Sequence, residues 1–87
     1  MARIELEVTE GWQSENAPPG TVEEFTLIAW QKAVGDSVQK YDALFEYDPG
    51  KGVVEYTAPA DGKLVEILIP DGSEGCLRGD VAGILEV

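Results

Sequence analysis

The side chain best placed to do chemistry in this sequence is Lys51, and its neighbours decide what kind. It sits in Asp48-Pro49-Gly50-Lys51-Gly52, the densest turn signal in the chain. Glycine has no Cβ, so the backbone on either side can take turn dihedrals and nothing shields the ammonium. A solvated lysine has a pKa of about 10.4, so only about one in a few thousand is deprotonated at neutral pH. Catalytic lysines are desolvated to lower that value, and two flanking glycines give no such shelter. The pattern describes either a lysine that another enzyme modifies or an ordinary solvated turn lysine. It does not describe a reagent.

Other chemistries find little support. The chain has no histidine, so the commonest general base and metal ligand are both missing. One cysteine, Cys76, can form neither an internal disulfide nor a zinc site, and it reads as a small packed or partly exposed residue. No Gly-rich phosphate loop occurs, and the acidic residues are too scattered to nominate a catalytic pair. Asp36, Asp71 and Asp80 stand where turns favour aspartate. No catalytic residue and no metal ligand are expected.

A hairpin lysine needs strands to hold it. Arg3 to Val8 alternates, with Ile4, Leu6 and Val8 on one face. Gly11 to Gly20 is a loop by composition. Thr26–Trp30, Ala43–Tyr47 and Val53–Thr57 read as strands, separated by turns at Gly35-Asp36, at Asp48 to Gly52 and at Ala58 to Gly62. Leu64 to Ile69 alternates, with Leu64, Glu66 and Leu68 on one face and Val65, Ile67 and Ile69 on the other. Pro70-Asp71-Gly72 turns the chain, and Val81–Val87 closes it. No window supports a long amphipathic helix. Short strands at this spacing predict an all-β sandwich or barrel. Trp30, Leu27, Val38, Leu44, Ile67 and Leu85 are its expected core.

The walk also shows a weak repeat. Leu27-Ile28-Ala29-Trp30 and Val34-Gly35 precede Leu64-Val65-Glu66-Ile67 and Asp71-Gly72 by thirty-seven positions. With a one-residue adjustment, Asp42-Ala43-Leu44 and Tyr47-Asp48 match Asp80-Val81-Ala82 and Leu85-Glu86. Duplicated halves would give a pseudo-twofold sandwich, each half covering the other's apolar face.

The 87 residues fit a single domain over 1–87, and 44% apolar residues suffice for its core. The formal charge of −11, from 17 acidic and 6 basic residues, would repel nucleic acid and anionic membranes. It would either attract proteins with basic patches or only aid solubility. No apolar run approaches the roughly 20 residues of a membrane span, and the N-terminus lacks a secretory apolar stretch. The expected location is the cytoplasm, or the mitochondrial matrix after removal of a transit peptide.

Leu44 to Gly62 resembles the attachment hairpin of the biotinyl/lipoyl domain family. In that family the modified lysine lies eight positions before the proline of an Ala-Pro-x-x-Gly turn, the separation of Lys51 from Pro59 in Ala58-Pro59-Ala60-Asp61-Gly62. Trp30, Val34-Gly35-Asp36-Ser37-Val38, Leu64-Val65-Glu66-Ile67 and Pro70-Asp71-Gly72 extend the likeness over residues 26–87. The resemblance implies a flattened antiparallel β-sandwich of two sheets with pseudo-twofold symmetry, and covalent attachment of a cofactor to Lys51, flanked by Asp48, Gly50 and Gly52.

Biotinyl members usually carry methionine on both sides of the lysine, and lipoyl members usually carry Asp before it and Ala after it. This chain has Gly50 and Gly52, the pattern of neither. Val53-Val54-Glu55, the Ala58 to Gly62 turn and the acidic surface are closer to the lipoyl type. The resemblance then implies a monomeric carrier of lipoate, placed there by a lipoate ligase. Its partners would be the decarboxylase, acyltransferase and dihydrolipoamide dehydrogenase components of a 2-oxo acid dehydrogenase complex. A biotin carrier of a carboxylase and an unmodified interaction module are the alternatives. Two features depart from the family. Pro49-Gly50 suits a type II corner that would set Lys51 one place off the tip. The Gly11–Glu24 loop is longer than usual; by resemblance it lies beside the lysine, and Trp12 in it reads either as an exposed contact residue or, since large apolar residues more often bury, as a lid packed on the core.

Overall fold

The computed structural model describes residues 2–9, 23–50 and 52–87. Eight strands follow one another: β1 Arg3–Glu7, β2 Glu24–Trp30, β3 Ser37–Val38, β4 Ala43–Asp48, β5 Val54–Thr57, β6 Gly62–Ile67, β7 Ser73–Leu77 and β8 Val81–Glu86. They form two antiparallel four-stranded sheets, ordered β1-β8-β6-β3 and β5-β4-β2-β7. No helix occurs among the described residues. This is the expected sandwich.

In most strands one face is buried by apolar residues two positions apart, and bulges bring neighbours such as Leu44 and Phe45 of β4 into the core together. Leu6 and Val8 are buried from β1 and its exit, Phe25 and Leu27 from β2, and Leu44, Phe45 and Tyr47 from β4. Val38, Ala58, Leu64, Cys76, Ala82 and Leu85 complete the core, with Ile4, Trp30, Val54, Tyr56, Ile67 and Ile69 packed against it. The six expected core residues all lie in or against it.

The alternation expected along Leu64–Ile69 fails. A bulge between Leu64 and Glu66 in the β6–β8 pairing shifts the phase, since an extra residue swaps the faces beyond it. Leu64 is fully buried while Leu68 is 48% exposed, and Ile67 and Ile69 pack inward. Strands β3 and β7 had no counterpart in the sequence reading. The first has only two residues. The second, Ser-Glu-Gly-Cys-Leu, is an edge strand of low β-propensity containing Gly75 at φ +67°.

The repeat is real in three dimensions. Advancing every strand by four, and returning to β1 after β8, converts one sheet order into the other. Hydrogen bonds repeat as well. Gly35 N–H donates to Leu64 O (2.7 Å), and Gly72 N–H donates to Leu27 O (2.8 Å). Gln39 N–H donates to Asp42 Oδ2 and Leu77 N–H to Asp80 Oδ2, both at 2.9 Å. Tyr41 N–H reaches Ala58 O and Gly79 N–H reaches Val8 O, with both donor residues at positive φ. The bulge at Leu27/Ala29 matches the one at Leu64/Glu66.

This symmetry fixes where the hairpin points. The first half's β4–β5 connection corresponds to the junction of the chain ends, where Val87 N–H donates to Ala2 O (2.9 Å). Those ends lie beside Gly62, four residues after Ala58 at the base of β5. The β4–β5 tip is at the other end of the strands.

Candidate functional site

The site is built from β4 and β5. Their last pair is Tyr47 with Val54, so the midpoint of the connecting loop falls between positions 50 and 51. Lys51 itself lies outside the described residues, as does Trp12. The flanking residues define the setting. Gly50 and Gly52 are exposed, with φ of +101° and +109°, a region that residues bearing side chains rarely adopt. A Cβ built on Gly52 meets nothing within 4 Å, so the turn projects into open space. The φ of Gly50 is the one a Pro-Gly type II corner requires.

The stem of the turn is fixed from below. Pro49 is fully buried, and Asp48 pairs with Thr26 of β2. The Asp48 carboxylate accepts from Gly50 N–H (2.7 Å) and Gly52 N–H (3.3 Å) through the same oxygen, Oδ1. Beneath the stem runs an aromatic ladder. Phe45 stacks on Tyr56 at 4.6 Å and lies 4.6 Å from the tilted Trp30 ring, and both are its cross-strand partners. Tyr47 contacts Phe25 edge-on at 6.0 Å. Such pairs stiffen a sheet beyond the area they bury. Sequence reasoning named Trp30 alone from this ladder; the alternation of Phe45 with Tyr47 was the available signal for the rest.

Trp30 is held by both its polar groups. Its Nε1–H donates to Ile69 O (2.7 Å), and its backbone N–H donates to Asp71 Oδ1 (2.9 Å). Tyr56 joins the edges of the two sheets, its hydroxyl donating to Glu7 O at 2.9 Å. Burial, then the neighbouring Tyr47 and Glu7, raises its pKa above the usual 10.0. Of the three aspartates expected to form turns, Asp36 and Asp80 bond within theirs, whereas the Asp71 carboxylate reaches across to Trp30. Asp36 Oδ2 accepts from Ala33 N–H and Asp80 Oδ2 from Leu77 N–H. Cys76 is buried, its thiol donating to Ser73 O (3.5 Å).

Both stems of the 10–22 segment are tied at the tip end of the sandwich. Arg78 Nε–H donates to Thr9 O (2.9 Å), and its guanidinium pairs with Glu23 at 2.6 Å. Among the described residues, nothing in this arrangement activates a nucleophile. It offers a turn anchored at its stem, with exposed glycines on either side of position 51.

Comparison with known proteins agrees. Residues 16–81 match the family model Biotin_lipoyl, described as "Biotin-requiring enzyme". The dihydrolipoyllysine-residue acetyltransferase component of the pyruvate dehydrogenase complex from Zymomonas mobilis is 34% identical over 65 residues, 75% of this chain and 15% of that protein. The mitochondrial counterpart from Caenorhabditis elegans is 37% identical over 65 residues, covering 75% and 13%. This chain thus spans about one-seventh of the length of these relatives. The solution structure of the lipoyl domain of the 2-oxoglutarate dehydrogenase complex from Azotobacter vinelandii superposes with a TM-score of 0.67 at 26% identity, covering 87% of this chain and 94% of that one. With two sheets that each draw strands from both halves, and a hairpin joining those halves, the chain belongs to the biotinyl/lipoyl domain family, as a carrier domain of the lipoyl kind.

Proposed function

We propose that this chain carries lipoate in amide linkage on Lys51 Nζ and serves a 2-oxo acid dehydrogenase-type complex as its swinging arm. The observation that supports this most is the β4–β5 loop: its midpoint falls beside Lys51, and its flanking glycines are exposed at positive φ. Such a turn fits the group, because a tethered cofactor needs a base that is fixed while the arm itself meets only solvent. In the attachment, a deprotonated Lys51 amine would attack an activated lipoate carboxyl. The activating phosphate group would leave and the nitrogen would lose a proton.

Lipoate, once attached, supplies a dithiolane for acyl and electron transfer; the chemistry is the cofactor's. The chain supplies position. Pro49 and the Phe45–Tyr56–Trp30 ladder anchor the stem of the turn on the core. The chain ends lie at the far end of the sandwich, so a tether joined there would leave the tip free. A tether turns each encounter with the next active site into a local one, at effective concentrations on the order of millimolar. The decarboxylase, acyltransferase and dihydrolipoamide dehydrogenase are the proposed partners, and the carrier itself acts as a monomer, in the cytoplasm or the mitochondrial matrix.

The purified chain should be incubated in parallel with a lipoate ligase and with a biotin ligase, each with its cofactor and ATP. Intact mass should rise by one lipoyl group in the first arm and not at all in the Lys51→Ala variant. A gain only with biotin would replace the lipoyl reading with the biotin one. No gain in either arm would leave an unmodified interaction module.

A further inference from the structure

We propose that Asp48 is a positioning residue for the attachment turn: its carboxylate holds the two amides that bracket position 51 and so sets how well a ligase reads Lys51. This rests on the carrier reading above and assigns one residue a role within it. A single oxygen, Asp48 Oδ1, accepts from Gly50 N–H at 2.7 Å and from Gly52 N–H at 3.3 Å. Both glycines lie at positive φ, and glycine has almost no preference between positive and negative φ. A Gly-Lys-Gly segment is therefore loose by composition, and something must select one shape. Asp48 can do so because its own backbone is anchored, paired with Thr26 and followed by the buried Pro49.

The geometry sets Asp48 apart from the other turn aspartates. Asp36, Asp42 and Asp80 each reach back three residues to one amide, those of Ala33, Gln39 and Leu77. Asp48 reaches forward to two, on either side of the lysine. Lipoyl members usually place Asp directly before the lysine. Here glycine takes that place, and the carboxylate acts from three positions upstream through the backbone.

A ligase that binds one turn shape meets only the fraction of molecules in that shape, and its apparent affinity falls by that fraction. With the clamp removed, KM for the domain should rise while kcat holds. The test is steady-state kinetics of a lipoate ligase, with lipoate and ATP, on the wild-type chain and on Asp48→Ala and Asp48→Asn. Asp48→Ala should raise KM about tenfold with kcat within about twofold. Asp48→Asn keeps a carbonyl acceptor and should recover most of the loss. Hydrogen exchange should accelerate at Gly50 and Gly52 in Asp48→Ala and not across the sheets. If Asp48→Ala does not fold, Asp48→Asn and Asp48→Ser carry the comparison. A wild-type KM in a variant whose two amides exchange faster would overturn the proposal. So would an Asn variant that matches wild type in exchange yet shows the full rise in KM, because the ligase would then be reading the charge itself. Absence of modification in the wild-type chain would instead overturn the carrier reading.

Discussion

A lysine between two glycines is a poor reagent and a good substrate, and that distinction was legible in the residue types. Where the turn stops being a turn was not. Pro49-Gly50 suggested a displaced corner, and the Tyr47–Val54 pairing was needed to centre the loop between positions 50 and 51. Asp48 carried no sequence signal for its two amide bonds, because an aspartate beside a turn usually caps a single amide.

Cys76 makes a residue-scale prediction. Burial, ahead of the Asp80 charge, raises its thiol pKa above the usual 9.0, and the thiolate is the reactive form. A thiol reagent should therefore label the native chain far more slowly than the urea-unfolded chain at pH 7.5. Equal rates would show that the thiol is open.

Tyr41 makes another. It is the only residue other than glycine at positive φ among those described (+77°), and its symmetry mate is Gly79. Tyr41→Gly should therefore stabilise the fold by about 0.5–1 kcal/mol in urea titrations, since Tyr41 is 72% exposed and loses little but a contact with Lys40.

At the scale of the element, the alternation of β1 was read correctly, and β2 and β4 were legible as strands without it. The reading failed at β6, because a bulge leaves no mark on composition, and at β7, whose residues form a strand only because β2 pairs with it. Close backbone approach was equally invisible. A Cβ on Gly62 would run into the Glu86 carbonyl oxygen and crowd Val87. Gly62→Ala should cost roughly 1–3 kcal/mol by urea denaturation, as overpacking does. A neutral result would mean that β6 and β8 part easily there.

Tyr56 gives β5 a pH dependence. Its folded pKa lies above its unfolded value near 10, so its contribution is complete below pH 10 and is lost as pH rises through the folded value. Tyr56→Phe should therefore lower stability at pH 7 by about 1 kcal/mol, through the lost bond to Glu7 O, and should flatten the decline above pH 10. An unchanged alkaline profile would contradict the assignment.

Over the whole molecule, the thirty-seven-residue repeat was the best guide to architecture. It predicted a pseudo-twofold sandwich of duplicated halves; the structure draws each sheet from both halves rather than setting one half over the other, and repeats even their turn hydrogen bonds. That symmetry sets the lysine hairpin against the chain ends, a relation no local motif contains. The net charge of −11 sits on exposed residues such as Glu5, Glu24, Glu55, Glu66 and Glu74. Encounter with a basic partner surface should be steered by it and screened by salt. The rate of acyl transfer to the lipoylated chain by a decarboxylase component should fall severalfold as salt rises from about 0.02 to 0.3 M. Salt independence would show that this charge serves solubility alone.

The central claim concerns one lysine amine among four, those of Lys32, Lys40, Lys51 and Lys63. Peptide mapping by tandem mass spectrometry of the ligase-treated chain tests it most directly. The lipoyl mass should fall wholly on Lys51. Attachment at Lys32, Lys40 or Lys63, or a mass spread among several lysines, would contradict it.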